Sequence, residues 1–500
     1  MGSPWGVGSR GREAAHWLVG SWGSGCSRRG AGLRWSDGSW WLVGSRWRGR
    51  LLRGCWGGAA SLVVVLGWAL MPGVRTAVAA GPLPDLGVGD EGFAQVLGPR
   101  VLAFPRDHGA HPEYRQEWWY VTGNLDSDSG ERFGFELTFF RFGLKGDASG
   151  GATVGLRADA ALDGASAWRT RQLYMAHFAV TDVGRQRFRS AQKLSRGAVG
   201  LAGARNPPLR VWVDDWVLQD AGDGSRSVAQ GGAQDGAGGD APGHEHWTLH
   251  AAQNGYELTL DARALQAPVL NGERGFSRKS DTPGVASYYY SIPRVAVRGQ
   301  LIRDGKVIEV HGLAWVDREW GSGPLDEGWD WFALQFRDGS SLMFYSRRDH
   351  DGRRDPHSAG TWISATGESR PLSRDDVQVD VLDYWKNPRG ERYPARWHVR
   401  VPSAGVDAEV RPVLADQELT GPPRYWEGAV DVVPAAVGDG REGGDRSADQ
   451  KGTGQNGDDR KTDGATVARG KRNESSGGRK IDGQPSAGRG YVELVGYAAQ

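Results

Sequence analysis

The feature that most constrains this chain is the recurrence of short segments in which apolar residues occupy every second position. Arg132–Phe142 (RFGFELTFFRF) sets Phe133, Phe135, Leu137 and Phe139 on one face, and Tyr174–Thr181 sets Tyr174, Ala176, Phe178 and Val180 together with His177 opposite. A period of two is that of a β-strand, whose successive side chains point to opposite faces. Val307–Trp320, Trp329–Phe336 and Leu342–Arg347 continue the pattern, and Asp338-Gly339 is a hairpin turn signal between the last two. No stretch of 12 or more residues in this body carries a helical period. The pattern predicts an all-β protein with two antiparallel barrels or sandwiches in tandem.

Composition then divides the chain. Gly and Pro make up 101 of its 500 residues, well above the average of roughly 12%. Two segments concentrate this bias: 219–246 has no Leu, Phe, Trp or Tyr, and 437–488 has only two Val and one Ile as large aliphatic residues. Neither can bury enough apolar surface to offset chain entropy, so both are expected to be disordered insertions. Strand-like runs flank each of them (Arg210–Leu218 and Tyr256–Leu260; Tyr425–Val433 and Tyr491–Tyr497), so each reads as an overgrown hairpin loop. The expected domains are 81–295 and 296–500, meeting near Pro293–Gly299.

Residues 1–80 differ from the rest. Arg46, Arg48, Arg50 and Arg53 precede the apolar run Ala59–Leu70, and Ala77-Val78-Ala79-Ala80 follows. These are the three parts of a secretory signal peptide, and the run is short of the ~20 residues that span a bilayer. Export to the periplasm or extracellular space is therefore expected. A chain starting near Gly81 lacks both cysteines, which removes disulfides and thiolate metal sites from consideration. It also carries 51 basic and 58 acidic residues, a net charge of −7, which argues against nucleic acid as a partner.

The G-x-G-x-x-G matches beginning at Gly6, Gly87 and Gly452 neither follow a strand nor open a helix, and they indicate no dinucleotide site. G-x-S-x-G, H-E-x-x-H and Walker signatures do not occur. His108 and His111, with Glu117, could supply metal ligands, but histidines entering a strand more often cap a loop. No metal and no cofactor is assigned. Trp118, in the same segment, is a candidate cavity or plug residue.

The segment of greatest chemical interest is His311–Gly321. As a strand it sets His311, Leu313, Trp315, Asp317 and Glu319 on one face. A carboxyl on an apolar, Trp-rich inner face loses hydration, and its pKa rises toward the value a general acid needs. The other reading pairs these acids with Arg318 or a neighbouring Arg at a barrel rim. Tyr289, Trp329 and Trp331 add aromatic surface with polar handles, suited either to core packing or to a ligand pocket.

Asp107–Asn124, Phe133–Arg141, Tyr174–Asp182, Gly275–Ser280, Ser287–Pro293, Ala314–Gly321, Gly328–Phe336 and the closing YWEGAVDV and GRGYVELVGY segments together resemble the AttH/CrtC family. This lipocalin-like group includes carotenoid 1,2-hydratases and proteins labelled secreted hydrolases. The resemblance implies two tandem lipocalin-like antiparallel β-barrel domains with a ligand cavity near their junction. It implies a hydrophobic isoprenoid or lipid ligand, and in hydratase members the addition of water to a C=C bond without a redox cofactor. It also implies a link to membrane export (ABC transport) or lipoprotein-transport systems. Asp317, Trp320 and Gly321 match the D-x-x-W-G motif of the hydratases, with Arg318-Glu319 standing where His-Asn is expected. Under this reading Asp317, Glu319 and His311 are catalytic, while Trp315, Trp320, Trp329, Trp331, Tyr289, His177, Trp118 and His111 contact the ligand. The alternative is a non-catalytic periplasmic carrier with the same cavity.

Overall fold

Alternation of apolar and polar residues becomes strand throughout. A computed structural model describes residues 90–146, 169–222, 245–323, 328–349, 351–435 and 487–497. The expected leader and nearly all of the two expected insertions lie outside the described residues.

Thirteen strands form the first sheet: β1 Gln116–Ser127, β2 Arg132–Gly143, β3 Gln172–Asp182, β4 Arg187–Arg196, β5 Ala202–Arg205, β6 Arg210–Val213, β7 Trp216–Asp220, β8 His246–Gln253, β9 Tyr256–Ala264, β10 Val269–Leu270, β11 Phe276–Arg278, β12 Ala286–Arg303 and β13 Lys306–Ser322. Ten form the second: β14 Trp329–Phe336, β15 Ser341–Arg347, β16 Ala359–Ile363, β17 Ser369–Ser373, β18 Gln378–Lys386, β19 Arg392–Val401, β20 Val406–Pro412, β21 Glu418–Leu419, β22 Tyr425–Pro434 and β23 Gly488–Leu494. Among the described residues only short 3-10 turns interrupt them.

The first sheet runs β4-β3-β2-β1-β13-β12-β9-β8-β7-β6-β5 and the second β17-β16-β15-β14-β23-β22-β20-β19-β18, both antiparallel and curled into barrels. Each curl encloses one apolar core. Phe133, Phe135, Leu137, Phe139, Phe178 and Val180 fill the first, as their alternation predicts, and Phe332, Leu334, Phe344, Trp397 and Val492 belong to the second. Strands pair across both composition-biased segments, β7 with β8 and β22 with β23. Asp338-Gly339 turns β14 into β15, with Gly339 at φ +94°, a conformation that favours glycine.

The expected boundary at 295 is incorrect. β12 and β13 form one long hairpin closed at Asp304-Gly305, so the first barrel continues to Ser322 and the second begins at Trp329. Pro293 suggested a loop, but it sits at a register shift between Ile292 and Val295. A bulge there removes the need for a ladder N–H that proline lacks.

The outer face of β1, β2, β12 and β13 meets the outer face of β14, β15, β22 and β23. Tyr120, Tyr289, Trp315, Trp331, Ala333, Met343, Tyr345, Ala429 and Tyr491 form a separate apolar cluster between the barrels. Polar contacts fix the join: Asn124 donates to the Gly490 carbonyl (3.0 Å), Thr181 to Gln417 (2.7 Å) and Arg489 pairs with Asp126 (2.6 Å).

Candidate functional site between the barrels

The alternation along β13 assigns neighbouring residues to opposite worlds. Ala314, Val316, Arg318 and Trp320 point into the first barrel, while Trp315, Asp317 and Glu319 point to the seam. β12 does the same, sending Tyr288, Tyr290 and Ile292 inward and Ser287, Tyr289 and Ser291 outward. At the seam a cavity opens. Its aromatic wall comes from Trp118, Tyr120, Phe140, Trp329, Trp331, Tyr345 and Tyr425, and its ionisable groups are Asp317, Glu319, Glu493, Lys279 and Arg347. Gly321 belongs to the rim, where a Cβ would lie 2.6 Å from the Ala286 carbonyl oxygen, so only glycine lets β12 and β13 close there.

Asp317 is 3% exposed and accepts three hydrogen bonds, from Tyr289 Oη (2.6 Å) on Oδ2 and from Ser291 Oγ and Trp315 Nε1 (2.6 Å each) on Oδ1. Trp331 Nε1 donates to Tyr289 Oη (3.1 Å), so two indoles and a phenol hold the carboxyl in one orientation. Burial pushes its pKa up to about 7 against the pull of these donors, with Glu319 adding to the rise. Glu319 accepts from Ser287 and pairs with Lys279 Nζ at 2.9 Å. That ammonium also lies 4.4 Å from the Tyr345 ring centre. Glu493 accepts from Trp329 Nε1 (3.1 Å), and burial together with the nearby Asp317 and Glu319 charges raises it to about 7.

Trp118, Tyr289, Trp329 and Trp331 thus line the cavity with Asp317 and Glu319, and Trp315 supports it through Asp317. His177 lies one layer back, its Nδ1 2.6 Å from Tyr425 Oη. Three sequence candidates fall elsewhere. His311 shares the Asp317 face but sits six residues away, about 20 Å along the strand. Its side chain is 60% exposed and its Nδ1 is 3.7 Å from Asp128. His111 and Trp320 stack on each other inside the first barrel (ring centres 3.9 Å apart, 3° between planes), because residue 320 has the opposite parity to 317. The alternative reading, a rim pairing of these acids with Arg318, does not hold for that residue: Arg318 turns inward to Glu117 (3.1 Å), and Lys279 takes the cationic role beside Glu319.

His111 belongs to a buried charged plug. Glu117 accepts from Arg141, Arg318 and the His111 backbone N–H, and Asp107 accepts from His111 Nε2 (3.2 Å) and the Ala103 N–H (2.6 Å). Burial alone would raise Glu117, but Arg141, His111 and Arg318 outweigh it and hold the carboxyl well below the usual range. Of the residues that suggested a metal site, His111 and Glu117 are bonded to each other, while His108 meets Tyr290 Oη (2.6 Å) and Glu245 (3.3 Å), and no cluster suited to a metal ion occurs among the described residues.

Sequence reading missed Lys279, Ser291, Tyr120, Tyr425, Glu136, Glu427 and Glu493. Glu427 and Glu493 carried a readable signal as acids set in apolar strand segments (YWEGAVDVV and YVELVGY).

Comparison with known proteins follows this architecture. The chain resembles the crystal structure of a protein described as an AttH from Nitrosomonas europaea, with 30% identity and a TM-score of 0.58, covering 81% of this chain and all of that one. It also resembles kievitone hydratase from Nectria haematococca in fold, at 12% identity and a TM-score of 0.52, covering 82% of this chain and 98% of that one. No curated protein sequence matches it. A family model described as AttH-like matches residues 95–444, and the chain belongs to the AttH-like family.

Proposed function

We propose that the seam between the barrels is an active site for acid-catalysed hydration of a C=C bond in a hydrophobic, isoprenoid-like substrate. The observation that carries this reading is Asp317: a carboxyl among aromatic rings, with no cation bonded to it and a pKa near neutrality, donates a proton where a solvated aspartate cannot. A similar fold in kievitone hydratase is compatible with it.

The Asp317 proton goes to one alkene carbon, using the π electron pair and leaving a cation at the more substituted carbon. Trp331 and Tyr120, packed edge to face with ring centres 5.0 Å apart, offer electron-rich surfaces to that charge. Glu319, fixed by Ser287 and Lys279, orients the attacking water, whose oxygen lone pair forms the new C–O bond. Water then loses a proton to a cavity carboxylate, so the sum is addition of one water with no change of redox state. Export by the 1–80 leader would place the protein where hydrophobic ligands pass between membranes, and an export-system partner is part of the same proposal.

Incubating the protein with an acyclic isoprenoid in isotopically heavy water should yield a labelled tertiary alcohol. Asp317→Asn keeps the size of the side chain but not its proton, and should lower turnover by ~10²–10⁴-fold. Full activity in that variant overturns the assignment. Stoichiometric ligand binding with no product from any alkene would instead establish a carrier.

A further inference from the structure

The cavity does not end at Glu493. Behind the Tyr120 and Tyr425 rings lies a second polar group: Glu136 from β2, His177 from β3, Glu427 from β22 and Tyr491 from β23, all at 2% exposure or less. Glu427 and Glu493 are direct cross-strand partners in the β22–β23 ladder. Their side chains leave the same face with Cβ atoms about 4.5–5.5 Å apart.

These carboxyls have no counter-charge among the described residues. Among the described residues no Lys or Arg reaches Glu136, Glu427 or Glu493, because the buried cations are held elsewhere, Lys279 by Glu319 and Arg141 and Arg318 by Glu117. His177 supplies none either, since burial lowers its pKa to about 3. Tyr120 Oη donates to Glu427 Oε1, and Tyr425 Oη donates to Glu136 Oε1 (3.3 Å). Glu427 Oε2, Glu136 Oε2, His177 Nε2 and Tyr491 Oη have no partner among the described residues.

Two buried carboxyls on adjacent strand positions without a cation do not both ionise readily in a low-dielectric seam, and one keeps its proton. We propose that the Glu427–Glu493 pair holds one proton at rest, resident on Glu427, and that Glu427, backed by Glu136, Tyr120 and Tyr491, is a positioning residue that keeps it there and leaves Glu493 as the exchanging partner. Burial and the neighbouring Glu136 and Glu493 charges act in the same direction, raising Glu427 well above the carboxylate range.

Its use rests on the hydration reading. The proton lost by the attacking water passes to the Glu493 carboxylate while Glu427 keeps its own, and the pair returns it to Asp317, so no proton is consumed over the cycle. The resident proton itself does not depend on turnover.

Infrared spectroscopy tests it without substrate. At about pH 9, above the ordinary carboxylate range, wild-type protein should retain a protonated-carboxyl C=O band that shifts in heavy water. Glu427→Gln, which imitates the protonated acid and keeps the Tyr120 bond, should remove most of that band, leaving at most the weaker contribution of Glu136, whose pKa burial raises to about 8. A band that is absent in wild type, or unchanged in Glu427→Gln, overturns the proposal whatever the enzyme's activity. Should Glu427→Gln not fold, Tyr120→Phe removes the donor on Oε1 and should move the band to higher frequency; an unmoved band is equally fatal. Failure to find hydration would leave these readings intact, so the two ideas fall separately.

Discussion

Two groups of buried acids lie on opposite sides of one strand, and they are treated in opposite ways. Inside the first barrel, Asp107 and Glu117 are bonded to arginine, histidine and backbone N–H groups, which hold both carboxyls well below their usual range. At the seam, Asp317, Glu427 and Glu493 face phenols, indoles and one another, and all three are raised. Burial is common to both groups. Counter-charge separates an acid that serves as structural ion-pair glue from one that carries a proton, which is why the proposed chemistry is assigned to the seam.

The comparison breaks most visibly at the plug. Glu117→Gln leaves Arg141 and Arg318 without a full counter-charge and should cost about 3–5 kcal/mol, read from urea unfolding. Asp317→Asn should leave stability at neutral pH unchanged or improved, because the wild-type site buries a carboxyl at a cost. Equal losses in the two variants would dissolve the distinction.

A second and smaller effect is in the pH dependence. Asp317 has a folded pKa raised from 3.8 to about 7, so the stability it contributes is present below the lower value and is lost as pH rises through the higher one. Asp107 and Glu117 behave oppositely: their contribution is present above the ordinary carboxylate range and is lost as pH falls. Unfolding free energy of Asp317→Asn should therefore decline less steeply than wild type over that interval, while its acid limb stays unchanged. A parallel curve would show that Asp317 titrates normally.

The smallest effect is expected at His311. Exposed and only loosely near Asp128, it should tolerate alanine with stability changed by less than about 0.5 kcal/mol and turnover unchanged. A large loss of activity would reinstate it beside Asp317.

Alternation made the strands, their partners and the shared face of Trp315, Asp317 and Glu319 readable in advance. What it could not tell was which surface that face meets. Glu136 alternates with Phe135 and Leu137 and looks solvent-facing in isolation; only the second barrel, more than 280 residues later at Tyr425, buries it. Trp320 and His111 were misplaced for the related reason that aromatic character does not report parity. Pro293 and Gly299 mimicked a domain break because a bulge and a loop use the same residues.

The two-sidedness of β13 has an evolutionary consequence. Substitutions on its odd-numbered face can retune the seam while the even-numbered face keeps anchoring the plug, so chemistry and foldedness can drift separately. Length cannot drift in the same way. Deleting Val316 alone would present Arg318 to the cavity and an acid to the plug. This stretch works as a reading frame, open to point changes and closed to frameshifts.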